Sequence, residues 1–349
     1  MNLRFTSLAA MGIVCVLLFP AKRCPADTPE RKSIVSAASP QQGRQAVERS
    51  LAFLEKDARK WRKEHDCSTC HHGAMTVWAL DEAKGRGYPV NSESLEEITG
   101  WTKARFVPPP NQPPDLRPGY NIPSMAAVYL NLARRTNKES VSPEEADRIV
   151  KHITDRQEAD GAWPTLPPAN ARPPVFESRE TMALWYYLAL EPVVVADLKE
   201  PPDAQTSRDR AEAWLKKIGP VGDTQTTALR LLVQARAGQS GGKLHPAAIA
   251  ALLKHQNSDG GWSQLKALPS DAYATGLALY ALSEAGVRND RKEVQRAVAF
   301  LVAAQKEDGS WPMSSRETPE VKAAKNLEPI IHIGSAWATI GMVRSLPKE

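Results

Sequence analysis

The chain has 349 residues, of which 42% are hydrophobic and 24% are charged, and its formal net charge is +5. This nearly balanced charge argues against a protein that binds nucleic acid or an anionic membrane surface. The length suits one large domain or two ordinary ones.

The first 26 residues have the pattern of an export signal. Arg4 precedes an apolar run over residues 8–19, and a plausible cleavage site follows Ala26. The apolar run is too short to span a bilayer as a stable helix. We therefore expect an exported protein, periplasmic or extracellular, with no stable membrane span after the signal is removed.

The mature part is expected to consist of a linker over residues 27–44 and a single domain over residues 45–349. Of the four cysteines in the chain, only Cys67 and Cys70 lie in this part. An exported protein that relied on disulfides for its stability would usually carry more cysteines.

These two cysteines belong to the segment C-S-T-C-H-H at residues 67–72, which contains the spacing C-x-x-C-H. At this spacing two thiols can bond covalently to a haem, and the next histidine can ligate its iron. We expect Cys67 and Cys70 to attach one c-type haem and His71 to be its proximal ligand. His72 is expected to be solvated. Two alternatives stay open: a local disulfide, and a zinc site that uses the cysteines with His71 or His72.

Three later segments share the pattern Q-x-x-D-G-x-W, named the clasp motif below. They occupy residues 157–163, 256–262 and 305–311. Their spacing implies a repeat of about fifty residues, with a degenerate unit near residues 211–215 between the first two. Each motif follows a helical pattern, so its glycine suits the left-handed turn beyond a helix. Its glutamine and tryptophan suit a junction between neighbouring units.

A second helix is expected in each of six units. These helices are predicted at residues 71–84, 123–135, 180–190, 223–237, 271–285 and 335–345. Six helix pairs can close into a ring, with one helix of each pair inside and the other outside. The fold class expected from the sequence is therefore all-α, an α/α toroid of six helix pairs.

The clasp motifs and the helix D-A-Y-A-T-G-L-A-L from Asp271 resemble the squalene cyclase and protein prenyltransferase superfamily. More closely, the chain is similar to exported bacterial proteins that join these repeats to a C-x-x-C-H-H segment. The resemblance implies a six-pair toroid with a central cavity. It does not carry over the reactions of the superfamily, because the chain lacks the acid motif D-x-D-D of the terpene cyclases. Ala274 also stands where the prenyltransferases have a zinc-binding histidine.

The segment at residues 67–72 and two proline-rich inserts, 108–118 and 164–174, all fall between the first and second helices of their units. Insertions on one face of a repeat array usually mark its binding face. Ring closure would bring His332, which precedes the sixth inner helix, beside His71 at this face. His332 is therefore a candidate second ligand of the iron. The alternative is a structural role, which is the more common one for a lone histidine.

Three classes of function follow from the sequence, and none of them fixes a reaction. The first, which the C-x-x-C-H spacing favours, is a haem protein with a redox role and a redox partner, or with a ligand-binding role. The second is an enzyme or binding protein for an apolar, isoprenoid-like small molecule, without haem. The third is a scaffold that binds another protein on the proline-lined face.

Overall fold

The structure is a computed structural model that describes residues 38–65, 70–110, 124–165, 178–191, 202–219, 222–238, 246–316 and 322–348. Within these ranges the protein is all-α, as predicted, with 67% helix and twelve α-helices. None of the helices described is both long enough and apolar enough to cross a bilayer. The predicted signal lies outside the described residues.

The helices form an outer and an inner layer that alternate along the chain. The outer helices are α1 (Pro40–His65), α3 (Ser92–Phe106), α5 (Pro143–Thr154), α7 (Pro202–Ile218), α9 (Pro246–Lys254) and α11 (Lys292–Ala304). The inner helices are α2 (Met75–Lys84), α4 (Met125–Ala133), α6 (Arg179–Ala189), α8 (Thr224–Gly238), α10 (Ala272–Glu284) and α12 (Glu328–Ser345). A π-helical turn, Cys70–Ala74, leads into α2. The predicted toroid of six pairs is confirmed.

The hydrophobic pattern of each helix decides its layer. In α5 the buried residues recur at helical spacing on one face: Ala146, Ile149, Val150 and Ile153. In α10 every residue from Ala272 to Leu282 is buried. A helix with one apolar face covers a core, whereas a helix that is apolar on all sides must lie inside it.

The glutamine of each clasp motif bonds its unit to the outer helix of the next unit. Gln157 donates to the carbonyl oxygen of Ser207 on α7, and Gln256 donates to that of Glu293 on α11 (both 2.8 Å). Gln305 donates to the carbonyl oxygen of Ala46 on α1, also at 2.8 Å. The third bond joins the last unit to the first and closes the ring.

The tryptophans and glycines of the motifs complete these junctions. Trp163, Trp262 and Trp311 are fully buried. Each indole donates to a carbonyl oxygen in the last turn of its own outer helix, at 2.7–2.9 Å. Gly309 has φ 87°, and a Cβ atom on it would lie 2.3 Å from the carbonyl oxygen of Arg49. Only glycine allows the turn to lie this close to α1.

Two helix boundaries differ from the predicted ones. Helix α1 begins at Pro40, inside the segment assigned to a linker, and Gly43 in this helix packs against Leu346. Helix α12 begins at Glu328 rather than at residue 335, so His332 lies within the helix. Pro329 stands in the first turn of α12, where the missing N–H of proline leaves no hydrogen bond unmade.

Aromatic side chains meet in the described part of the toroid's interior. Trp337 on α12 packs against Trp78 on α2 and Trp185 on α6, with ring centroids 5.2 and 5.7 Å apart. Tyr280 and Tyr129 lie against the same tryptophans. All five side chains are at most 3% exposed. These five rings form one aromatic cluster among the inner helices α2, α4, α6, α10 and α12.

Close approach of α10 and α12 depends on two glycines. A Cβ atom on Gly276 would lie 2.2 Å from the carbonyl oxygen of Trp337, and one on Gly341 would lie 2.4 Å from that of Gly276. Both contacts are with backbone atoms, which cannot move aside as a flexible side chain can. The two backbones therefore touch at this crossing.

We predict that Gly276→Ala lowers the free energy of unfolding by at least about 3 kcal/mol, because the added methyl group overpacks the crossing. Gly100, in the outer helix α3, has no atom within 4 Å of the position that an added methyl group would take, so it serves as the matched control. Gly100→Ala should raise stability by about 0.5–1 kcal/mol. Equilibrium urea unfolding measures the stability of both variants. Equal stability would contradict the backbone contact between α10 and α12 at Gly276.

Candidate metal centre at the ring closure

Three elements that are distant in sequence meet where the ring closes. Asp57 comes from the third quarter of α1, His72 from the π-helical turn before α2, and His332 from the start of α12. Asp57 and His332 are 275 residues apart. The junction between Gln305 and α1 brings them together, because it fixes the last unit against the first.

One carboxylate oxygen lies between the two imidazoles. Asp57 Oδ2 is 3.1 Å from His72 Nε2 and 2.8 Å from His332 Nδ1. One ligand atom from each of the three residues lies within 4.8 Å of the other two. The side chains of His72 and His332 are at most 1% exposed, whereas that of Asp57 is 18% exposed. The cluster is therefore open to solvent on the Asp57 side.

Aromatic rings hold the imidazole of His72 in place. Trp61, one helical turn after Asp57 on α1, stacks on His72 with centroids 4.3 Å apart and an angle of 8° between the rings. The ring of His332 lies 4.0 Å from that of His72. His72 is thus packed between an indole and a second imidazole.

Two further residues, Thr76 and His71, make polar contacts with the two histidines of the cluster. The hydroxyl oxygen of Thr76 on α2 is 2.9 Å from His332 Nε2 and also 2.9 Å from the carbonyl oxygen of His72. His71 Nδ1 lies 2.5 Å from His72 Nδ1. Both nitrogens of each buried imidazole, in His72 and His332, therefore face a polar atom.

Burial and hydrogen bonding set the charges of the cluster. Burial, together with the nearby His332, lowers the pKa of His72 to about 3, although Asp57 opposes the shift. Burial also lowers the pKa of His332. Burial by itself would raise the pKa of Asp57, but the hydrogen bonds from His332 and His72 outweigh it and lower that pKa. At neutral pH the cluster holds two neutral imidazoles and one carboxylate, the protonation states that metal ligands need.

The structure brings together some of the residues that the sequence singled out. His71 and His332 both lie against His72, as ring closure requires. Cys70 opens the π-helical turn, but its side chain and all of Cys67 lie outside the described residues. Whether Cys67, Cys70 and His71 hold a haem stays a prediction.

Sequence reasoning missed the burial of His72 and the participation of Asp57. His72 was expected to be solvated, yet it is completely buried. Asp57 had no motif to mark it. The available signal was its position on α1, because Asp57, Trp61 and His65 recur every four residues and so share one helix face.

Comparison with known proteins shows that the chain is similar to squalene cyclases. Residues 219–346 match the family model of the squalene-hopene cyclase C-terminal domain. The squalene-hopene cyclase of Zymomonas mobilis is 35% identical over 128 residues, which are 36% of this chain and 18% of that protein. A probable squalene-hopene cyclase of Sinorhizobium fredii is 24% identical over 322 residues, 86% of this chain and 43% of that protein. The chain spans less than half the length of these curated relatives.

Solved structures of proteins with other activities share this fold. A type II terpene cyclase from Scytonema, MstE, solved with geranylgeranyl dihydroxybenzoate, matches with a TM-score of 0.56 and 16% identity, covering 89% of this chain and 99% of that one. A polysaccharide lyase matches with a TM-score of 0.53 and 13% identity over 86% of this chain and 97% of that one. The chain is thus a squalene cyclase-like α/α toroid, as predicted. The same fold serves different chemistry, so the site must define the function.

We predict that the His72 imidazole makes stability depend on pH. Between its ordinary pKa of 6.5 and its folded pKa of about 3, the unfolded chain binds a proton at this residue that the folded protein does not. The free energy of unfolding therefore falls as the pH is lowered through this window. His72→Gln removes that contribution, so the variant should lose less stability than the wild type.

Urea unfolding in EDTA, with wild type and His72→Gln compared at each pH, measures the contribution of His72. Asp81 and Asp271, whose pKa burial raises to about 6, contribute with the opposite sign in both proteins and cancel in the difference. Parallel curves for the two proteins would contradict the lowered pKa of His72.

Proposed function

We propose that this protein is a metal-binding toroid whose centre is formed by Asp57, His72 and His332. The observation that carries the proposal is the convergence of one oxygen and two nitrogen atoms within 4.8 Å at the ring closure. Two imidazoles and one carboxylate form a ligand set that binds Zn²⁺ or Fe²⁺.

The spacing of the three residues fits an ion of this size. Four-coordinate zinc with bonds of 2.0–2.1 Å holds neighbouring ligand atoms about 3.3 Å apart. The two oxygen–nitrogen distances of the cluster, 2.8 and 3.1 Å, are shorter by a few tenths of an ångström. Along these two distances, the ligand atoms would move apart by only a few tenths of an ångström to admit the ion.

With the three ligands that the described residues supply, one coordination position is left for a water or a small polar ligand. The partial exposure of Asp57 gives access from solvent. The chain lacks the acid motif D-x-D-D with which terpene cyclases start cyclisation. We therefore propose metal-dependent binding or activation of a small polar molecule at the mouth, in place of the cyclisation that the names of the relatives describe.

A second candidate is a c-type haem protein, which the C-x-x-C-H spacing at residues 67–72 supports. Cys67 and Cys70 would attach the haem, and His71 would ligate the iron. A histidine held by a hydrogen bond at Nδ1 ligates through Nε2, and His71 has this contact with His72. This function would require export, through the predicted signal, and a redox partner.

The two candidates make opposite demands on one proton, the one shared by His71 Nδ1 and His72 Nδ1. A metal on His72 Nε2 leaves the proton on His72 Nδ1, so that a neutral His71 keeps its own proton on Nε2. Iron ligation through His71 Nε2 instead requires the proton on His71 Nδ1, with His72 Nε2 donating to Asp57. Occupancy by one metal group therefore disfavours the other.

The metal centre predicts one bound Zn²⁺ or Fe²⁺ per chain. Replacing Asp57 by Asn should weaken binding at least about hundred-fold, because it removes the only anionic ligand. Asp290→Asn, at an exposed ion pair far along the chain, is the control and should bind like the wild type. Elemental analysis and calorimetric titration measure the outcome, and equal binding by the two variants would rule out the centre.

The haem candidate predicts a coloured protein when the chain is exported with a cytochrome c maturation system. Haem should stay with the denatured chain of the wild type, and it should be absent from the Cys67→Ser and Cys70→Ser variants. A colourless protein under full maturation, or a disulfide between the two cysteines found by mass spectrometry, would end this candidate and leave the metal centre untouched.

A further inference from the structure

Thr76 is the hydroxyl residue that contacts two of the three proposed ligands. It is completely buried on α2, one turn after His72, and faces His332 across the ring closure. We infer that Thr76 is a positioning residue that fixes which nitrogen of His332 faces the metal. The inference rests on the proposed metal centre.

The argument follows from the single proton of a hydroxyl group. Thr76 Oγ1 lies 2.9 Å from the carbonyl oxygen of His72, which can only accept, and 2.9 Å from His332 Nε2. If the hydroxyl donates to that carbonyl, it must accept from His332, and Nε2 then carries a proton. A neutral His332 in this tautomer has no proton on Nδ1.

That bare nitrogen faces another acceptor. His332 Nδ1 lies 2.8 Å from Asp57 Oδ2, and two acceptors at this distance repel unless a proton or a cation lies between them. A metal ion satisfies both and leaves the chain of bonds from His332 through Thr76 to the His72 carbonyl complete. Without the ion, His332 donates from Nδ1 to Asp57, and the Thr76 hydroxyl turns to donate to Nε2.

The ordinary role of such a threonine would be a hydrogen bond to the carbonyl four residues earlier in its helix. Thr339 on α12 has this role. It donates to the carbonyl oxygen of Ser335 at 2.8 Å, is completely buried, and bonds a second hydroxyl, that of Ser50, at 2.6 Å. Thr339 shares with Thr76 its burial, its bond to the carbonyl four residues earlier and a second polar partner. Its two partners, Ser335 and Ser50, are not proposed ligands, so it supplies a matched control.

The experiment is calorimetric titration of the full-length protein with Zn²⁺ alone. Thr76→Val keeps the shape of the side chain and removes the hydroxyl, and it should weaken zinc binding 10- to 100-fold, as the loss of an orienting contact to a metal ligand does. Thr76→Ser should restore wild-type affinity. Thr339→Val should lower the melting temperature yet bind zinc like the wild type.

A second measurement reads the tautomer directly. Long-range proton–nitrogen correlation spectra of the zinc-loaded wild type should show His332 with its proton on Nε2, and the zinc-free protein should show it on Nδ1. This measurement needs no variant, so it still decides the matter if Thr76→Val does not fold.

The outcomes distinguish the role of Thr76 from the metal centre on which it rests. If the wild type binds zinc through Asp57 but Thr76→Val binds equally well, or if zinc-loaded His332 carries its proton on Nδ1, the role of Thr76 is wrong and the metal centre stands. If the wild type binds no zinc in an Asp57-dependent way, the metal centre itself is wrong. If Thr76→Val alone weakens zinc binding and Thr76→Ser restores it, both the metal centre and the role of Thr76 are supported.

Discussion

The contact between the last clasp motif and the first helix is the constraint on which the rest of the structure depends. Gln305 donates to a carbonyl oxygen of α1, and the turn at Gly309 lies directly against the same helix. Such repeats cannot bury their apolar faces alone, so a toroid is stable only when the last unit covers the first. Closing the ring also creates a position where residues from both ends of the chain share one environment.

The packing of the interior joins inner helices that lie far apart in the sequence. The crossing at Gly276 and Gly341 places α12 against α10, and Trp337 then packs against aromatic rings from α2 and α6. Close packing of this kind stabilises the ring. The proposed metal centre lies elsewhere, at the junction of α1, the π-helical turn and α12.

At the mouth, burial and charge act together on a small set of side chains. Burial keeps His72 and His332 neutral, and their hydrogen bonds keep Asp57 ionised; these are the protonation states that metal ligands need. The Asp57 side chain is partly exposed, and hydrogen bonds from both imidazoles stabilise its charge. The same three residues thus serve as a junction in the ring and as a proposed metal centre.

The sequence by itself determined the repeat, the six helix pairs and the junction role of Gln157, Gln256 and Gln305, because clasp spacing and hydrophobic period are local properties of the chain. It also placed His332 near the first inner helix, since a closed ring leaves no other neighbour. Only the tertiary structure decided that His72 is buried, that Asp57 joins the histidines and that aromatic rings from five inner helices pack together. Those facts depend on the angle and distance between helices that lie far apart in sequence, and no short pattern encodes them.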